Sequence, residues 1–245
     1  KVATLNQTNN NLEWHNPTEI MNYDHDDDIY ELNNALVSTK TTMNHKMYVK
    51  TTSQGSFELT EAKELVGIKY WNKRNCINPV PDQYSFTLAQ VTLPWKNTTK
   101  TYTQKQYPMN SWLTFLGIYL AEGCVDQGRS TRITVHKPRV RAKMEELLEE
   151  MKINYVQYPG EEDYFYIRSH QISNYMAQFG HANVKSIPEW CRSLGKSNAY
   201  ALLTGLLLGD GCYNALKKSW EYYSNSKELM DDVQYLAILS ELSAS

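Results

Sequence analysis

The sequence predicts an α+β fold on three observations. Short β-like runs separated by turn-forming clusters fill residues 1–95, the hydrophobic period becomes helical at Met109, and two almost uncharged helix-length segments recur at a fixed spacing. The chain has 245 residues, 41% hydrophobic and 21% charged, which is ordinary globular usage. No apolar run is long enough for a membrane span, and no charged-then-apolar leader opens the chain at Lys1. The formal charge is −2 with a pI near 6.3, so a nucleic-acid partner would need positive charge gathered on one face. Cys76, Cys124, Cys191 and Cys212 form no CxxC pair. They predict a reduced, intracellular chain (cytoplasmic or nucleoid-associated, not secreted) rather than a disulfide or zinc framework.

In chain order, residues 1–5, 28–32, 35–40 and 46–52 read as strands, with Asn9-Asn10-Asn11 and the acidic run at Asp24 to Asp28 as turns. Residues 57–65 read as a strand entering a helical turn. The polar, proline-flanked stretch 96–108 reads as a linker, which divides the chain into 1–95 and 109–245. Asn110 or Ser111 is placed to cap the first helix, which runs without charge to Glu122-Gly123. Residues 131–137 alternate as a strand, Pro138 suits a first helical turn, and 140–151 is an amphipathic helix. Residues 154–158 and 164–168 read as a hairpin turning at Gly160, 172–179 as a helix closed by Gly180, and 199–208 as the second uncharged helix.

The two uncharged helices carry the chemistry. Phe115-Leu116-Gly117-Ile118-Tyr119-Leu120-Ala121-Glu122-Gly123 aligns with Leu203-Thr204-Gly205-Leu206-Leu207-Leu208-Gly209-Asp210-Gly211 at an offset of 88 residues (210 minus 122). A glycine inside a helix costs about 1 kcal/mol against alanine. Close backbone approach is a reason to keep it, so Gly117 and Gly205 predict that the two helices pack face to face and bring Glu122 and Asp210 together. A carboxylate at a helix C-terminus opposes the macrodipole by roughly 0.3–1 kcal/mol, and two in contact repel further. A hard divalent cation, Mg²⁺ or Mn²⁺, would relieve both conflicts and could assist phosphodiester hydrolysis.

These paired segments resemble the motifs of LAGLIDADG homing endonucleases, and residues 108–113 resemble the form found within inteins. The resemblance implies an αββαββα pseudo-two-fold endonuclease domain that cleaves a specific double-stranded DNA site. Glu122 and Asp210 would be its metal-binding catalytic acids. Lys185-Ser186-Ile187-Pro188 resembles the segment ahead of the second motif, which gives Lys185 a catalytic role. With 35 residues after Asp210 (245 minus 210), the second half is expected to be incomplete. DNA contacts are expected from Arg129, Arg132, Thr134, His136 and Lys137, and, after the second motif, from Lys217, Tyr222, Ser224 and Lys227. The basic start of the helix after Pro138 (Arg139, Arg141, Lys143) opposes the dipole preference, and either phosphate contact or a solvated face accounts for it.

Residues 1–95 resemble the N-terminal part of a Hint (intein splicing) domain. Its threonine and histidine would be Thr42 and His45, polarising a scissile amide and protonating its nitrogen. The chain opens on Lys1-Val2-Ala3 where inteins carry Cys or Ser, so splicing by the usual route is not expected. The overall expectation is a monomeric intein-type endonuclease, not membrane-bound, with duplex DNA and host protein segments (exteins) as partners. A cleavage-inactive DNA-binding module, or a splicing element with a vestigial endonuclease, remains the alternative.

Overall fold

The computed structural model describes residues 1–34, 37–126 and 130–244, a mixture of helix and strand in two units: Lys1–Ile77 with the chain from Glu241, and Asn78–Ser240.

In the first unit, β1 (Val2–Leu5) and β2 (Leu12–His15) form an antiparallel hairpin. Its turn closes because the Asn6 side chain accepts from the Thr8 amide at 2.9 Å and Asn10 takes a positive φ of 63°. β3 (Ile29–Asn33) pairs antiparallel with β4 (Ser38–Thr42). β5 (Lys46–Lys50) lies between β6 (Glu58–Glu61) and β7 (Trp71–Asn72), antiparallel to both. Leu12, Val49, Ala62 and Leu65 are its buried apolar residues, with a single 3₁₀ turn at Ala62–Leu65.

The second unit begins with β8 (Ser85–Leu88), β9 (Val91–Trp95), β10 (Thr98–Tyr102) and β11 (Lys105–Pro108). β9 and β10 form a tight hairpin, and β8 pairs with β11. The stretch 96–108 is therefore largely strand, and the units divide after Ile77 rather than near residue 95. The reason is aromatic: Phe86 of β8 stacks on Trp112 at 4.4 Å, which ties these strands to the helices that follow.

Next come α1 (Met109–Glu122), β12 (Gly123–Asp126), β13 (Ser130–Thr134), α2 (Pro138–Glu150), β14 (Tyr164–Ile167) and α3 (His170–Met176). α1 starts directly at Pro108 without a side-chain cap. Asn110 instead accepts from Asn198 of the second long helix at 2.8 Å. β12, β13 and β14 form one antiparallel sheet, so β14 joins β13 instead of closing a hairpin with 154–158, where one bridge (Val156 to Tyr166) remains. Alternation on β13 buries Ile133 on the face that packs inward, while Arg132 faces out. The chain ends with α4 (Lys196–Asp210), β15 (Gly211–Asn214), β16 (Ser219–Tyr222) and α5 (Lys227–Leu239).

α1–β12–β13–α2 and α4–β15–β16–α5 thus repeat one pattern of helix, antiparallel pair and helix. The amphipathic α2 and α5 each bury one stripe, Val140, Met144, Leu147 and Leu148 in the first, and Leu229, Leu236, Ala237 and Leu239 in the second. α1 and α4, apolar nearly all round, are buried between them.

Candidate functional site

α1 and α4 cross at Gly117 and Gly205. A methyl on Gly205 would meet the Thr114 carbonyl, the Gly117 Cα at 2.9 Å and the Ile118 amide at 3.0 Å. One on Gly117 would meet the Leu202 carbonyl, the Leu206 amide at 2.8 Å and the Gly205 Cα at 2.9 Å. Every one of these neighbours is backbone, so no rotamer change opens room. The contact is reinforced by the Thr114 hydroxyl, which donates to the Ala201 carbonyl at 3.2 Å. Asn110 and Asn198, themselves 88 residues apart, bond at the N-terminal end of the crossing. Gly209 continues it towards the C-termini, where its own methyl would strike Ala121.

Glu122 and Asp210 meet at those C-termini. Burial raises the Asp210 pKa above the ordinary carboxylate value; the Glu122 charge raises it further, against the opposing pull of Lys137 and Lys185. The Lys137 ammonium donates to Glu122 Oε1 at 2.6 Å and to the Gly209 carbonyl at 2.5 Å, and lies 4.0 Å from Asp210 Oδ1. Arg139, two residues on, donates to the Leu208 carbonyl at 2.9 Å and the Gly211 carbonyl at 2.7 Å. The start of α2 therefore supplies the cations that cap the end of α4. This accounts for Arg139, whereas Arg141 donates to the Glu162 carbonyl and Lys143 pairs with Glu146.

Lys185 does the same for α1. Its buried ammonium donates to the carbonyls of Tyr119 (2.9 Å) and Gly123 (2.6 Å) and lies over the Tyr119 ring. Burial pushes its pKa down to about 8, opposed chiefly by the nearby Cys124, Asp210 and Glu122. Both helix ends are thus already served by protein cations. The electrostatic conflict read from the sequence has an internal remedy as well as a metallic one.

A cavity of about 370 Å³ opens beside the acids, lined by Glu122, Thr134, His136, Lys137, Asp163, Tyr164 and Asp210. His136 Nδ1 lies 3.1 Å from Asp163 Oδ2. Arg132 sits over the Tyr164 ring on the exposed face of the sheet. Asp163 and Tyr164 carried no sequence signal: they follow an acidic turn and reach the cavity only because β14 pairs with β13. Tyr222 is a further neighbour; its hydroxyl is buried without a hydrogen-bond partner, and burial and the Asp210 charge both raise its pKa.

The other expected contacts lie elsewhere. Lys217 pairs with Glu221 (3.0 Å) and Lys227 with Asp231 (2.7 Å), while the Ser224 hydroxyl accepts from the Ser226 amide. Arg129 lies outside the described residues. In the first unit, Thr42 and His45 stand at the ends of one tight turn, with the His45 amide on the Thr42 carbonyl and the Thr42 hydroxyl on the Asn44 side chain. Among the described residues no group of three or more His, Cys, Asp and Glu side chains is placed to hold a metal. No described helix is long and apolar enough to cross a membrane.

No family model matches the chain. Three relatives are longer proteins that this chain matches only in part. It is 27% identical, over 97% of its own length and 25% of the other's, to the proteolytic subunit of an ATP-dependent Clp protease from Chlamydomonas moewusii. It is 25% identical, over 97% and 26%, to a C-terminal section of the RNA polymerase β subunit from Stigeoclonium helveticum. Half of it is 30% identical to 15% of RNA polymerase subunit Rpo1C from Methanocaldococcus jannaschii. The chain spans about a quarter of the first two relatives.

These findings correct the motif-based reading. The relatives bear the names of a protease subunit and of polymerase subunits, and the enzyme that leads them is a hydrolase of another kind than a DNA endonuclease. The identification as an intein-type LAGLIDADG homing endonuclease is therefore withdrawn. Its DNA-cleaving function, the inactive and vestigial alternatives and the splicing role go with it. Glycines at a close helix crossing and a glycine just past a helix end are general packing and capping features, so the pattern alone does not specify a family.

Proposed function

We propose that Asn78–Ser240 is a divalent-cation-dependent hydrolytic module, of a kind carried by larger proteins of otherwise unrelated activity. The module reading rests on the shares: nearly the whole chain is alike to a quarter of a protease subunit and to a quarter of a polymerase section. What the two have in common is then the segment.

The observation that carries the hydrolytic reading is the delivery of two carboxylates and the Gly209 carbonyl, by two helix ends, to one point where a cation already sits. That donor set is hard oxygen throughout, which suits Mg²⁺ or Mn²⁺; two protein carboxylates leave the remaining positions to water and substrate. A divalent ion held there would supply Lewis acidity. Glu122 and Asp210 would hold it, Lys185 and Arg139 would fix the helix ends, and His136, steadied by Asp163, would face the cavity as a proton carrier. Among the residues lining the cavity, Lys137 offsets one of the three carboxylates, Glu122, Asp163 and Asp210, so an added divalent ion would neutralise the other two and leave its open positions to an anionic oxygen. An anionic ester is the substrate class that fits.

Calorimetric titration with Mn²⁺ tests the site. Binding should weaken at least tenfold in Glu122→Gln and in Asp210→Asn, and unchanged binding in both removes the acids from it. Hydrolysis of bis(4-nitrophenyl) phosphate should need Mg²⁺ or Mn²⁺, whereas turnover that survives EDTA, or of a peptide amide alone, contradicts the proposal.

A further inference from the structure

We infer that Lys137 is a built-in occupant of the cation site, which a divalent ion must displace. The inference rests on the preceding assignment of Glu122 and Asp210. Lys137 is the N-cap residue of α2, followed by Pro138 at the first helical position, so its backbone is fixed while its side chain reaches across to the end of α4. Its ammonium lies on Glu122 Oε1 (2.6 Å) and the Gly209 carbonyl (2.5 Å), with Asp210 Oδ1 at 4.0 Å. An ion that takes Glu122 Oε1 and the Gly209 carbonyl together would occupy the position of the ammonium. The side chain is 40% exposed, against 15% for Glu122, so the ammonium has a route outward into the cavity that the carboxylate lacks.

Arg139 makes the displacement affordable. It remains on the Leu208 and Gly211 carbonyls when Lys137 leaves, so the end of α4 keeps a cation. Lys185 holds α1 in the same way. Of the three basic residues at the crossing, Lys137 alone touches a carboxylate of the pair; the other two are bound to backbone. Lys137 thus sets the affinity of the site. It keeps the acids neutralised when the ion is scarce and raises the concentration needed to load it.

Mn²⁺ titration of Lys137→Met, which keeps the stem and loses the charge, should show binding at least tenfold tighter than in the parent chain. Equal or weaker binding in a folded variant overturns the inference while leaving the carboxylate site standing. Absence of Mn²⁺ binding in both chains overturns the site itself. If Lys137→Met does not fold, the parent chain decides by mass-spectrometric mapping of lysine acetylation. Labelling of Lys137 should rise with Mg²⁺ while that of Lys217 stays constant, and unchanged Lys137 labelling at saturating Mg²⁺ contradicts displacement.

Discussion

Gly205→Ala tests the helix crossing from which the site is built. In an exposed helix this substitution stabilises by about 1 kcal/mol. Here the new methyl would press on the Thr114 carbonyl, the Gly117 Cα and the Ile118 amide, all of them backbone of α1, so the helices must part along their tightest contact. Overpacking of that kind costs about 1–3 kcal/mol. Separation also loosens the longer arm of the Thr114 hydroxyl's shared bond, 3.2 Å to the Ala201 carbonyl against 2.9 Å to Asn110 in its own helix, a loss of up to about 1 kcal/mol. The balance is a loss of about 2 kcal/mol, or roughly 4–8 °C in Tm for a unit of this size. Thermal and urea unfolding followed by far-UV circular dichroism reads both quantities. Gly117→Ala should behave alike, and the double variant should lose less than the sum, because the first methyl already moves the helices apart. A Gly205→Ala protein as stable as the parent, or more so, refutes the close crossing.

The buried Lys185 makes stability depend on pH. Its pKa is pushed down to about 8 in the folded chain, so the unfolded chain binds more protons between there and the ordinary value of 10.5. Stability from this group therefore rises with pH across that window. Relative to Lys185→Met, the parent should gain about 2 kcal/mol between pH 7 and pH 10 in chemical denaturation, and parallel profiles contradict the burial. Asp232 accepts from Arg192 at 2.8 Å and from the Ile187 amide at 2.8 Å, with its side chain 1% exposed. Asp232→Ala strands the Ile187 amide and takes one partner from Arg192, which keeps Glu189 at 3.1 Å, and should cost about 2–3 kcal/mol; a loss below about 1 kcal/mol in urea unfolding contradicts its structural role.

Much of the second unit was legible because its signals are local. The uncharged run before Glu122, the glycines 88 residues apart and the Pro138 start of α2 each follow from propensity or spacing. What was not legible depends on partners distant in sequence. Lys137 read as a DNA contact at the end of strand 131–137, yet its partners are Glu122 and Gly209, fifteen and seventy-two residues away. Lys185 drew a catalytic role from the resemblance, and its burial follows only from the position of the end of α1. Arg139 opposes the dipole of its own helix because the helix end it serves is that of α4. Residues 154–158 and 164–168 look like a hairpin by alternation, and no local feature says that β13 offers β14 a longer partner. In the first unit the asparagine-rich turn was readable, and Thr42 and His45 stand at the two ends of one tight turn.

The most direct measurement is paramagnetic line broadening by substoichiometric Mn²⁺ in an ¹⁵N-labelled chain. The account predicts that the amides of Gly123 and Gly211, each following one of the paired acids, broaden together and first, and that Asp210→Asn abolishes the effect. Broadening that begins elsewhere, or that reaches only one of the two glycines, would contradict a shared cation site at the end of the α1–α4 crossing.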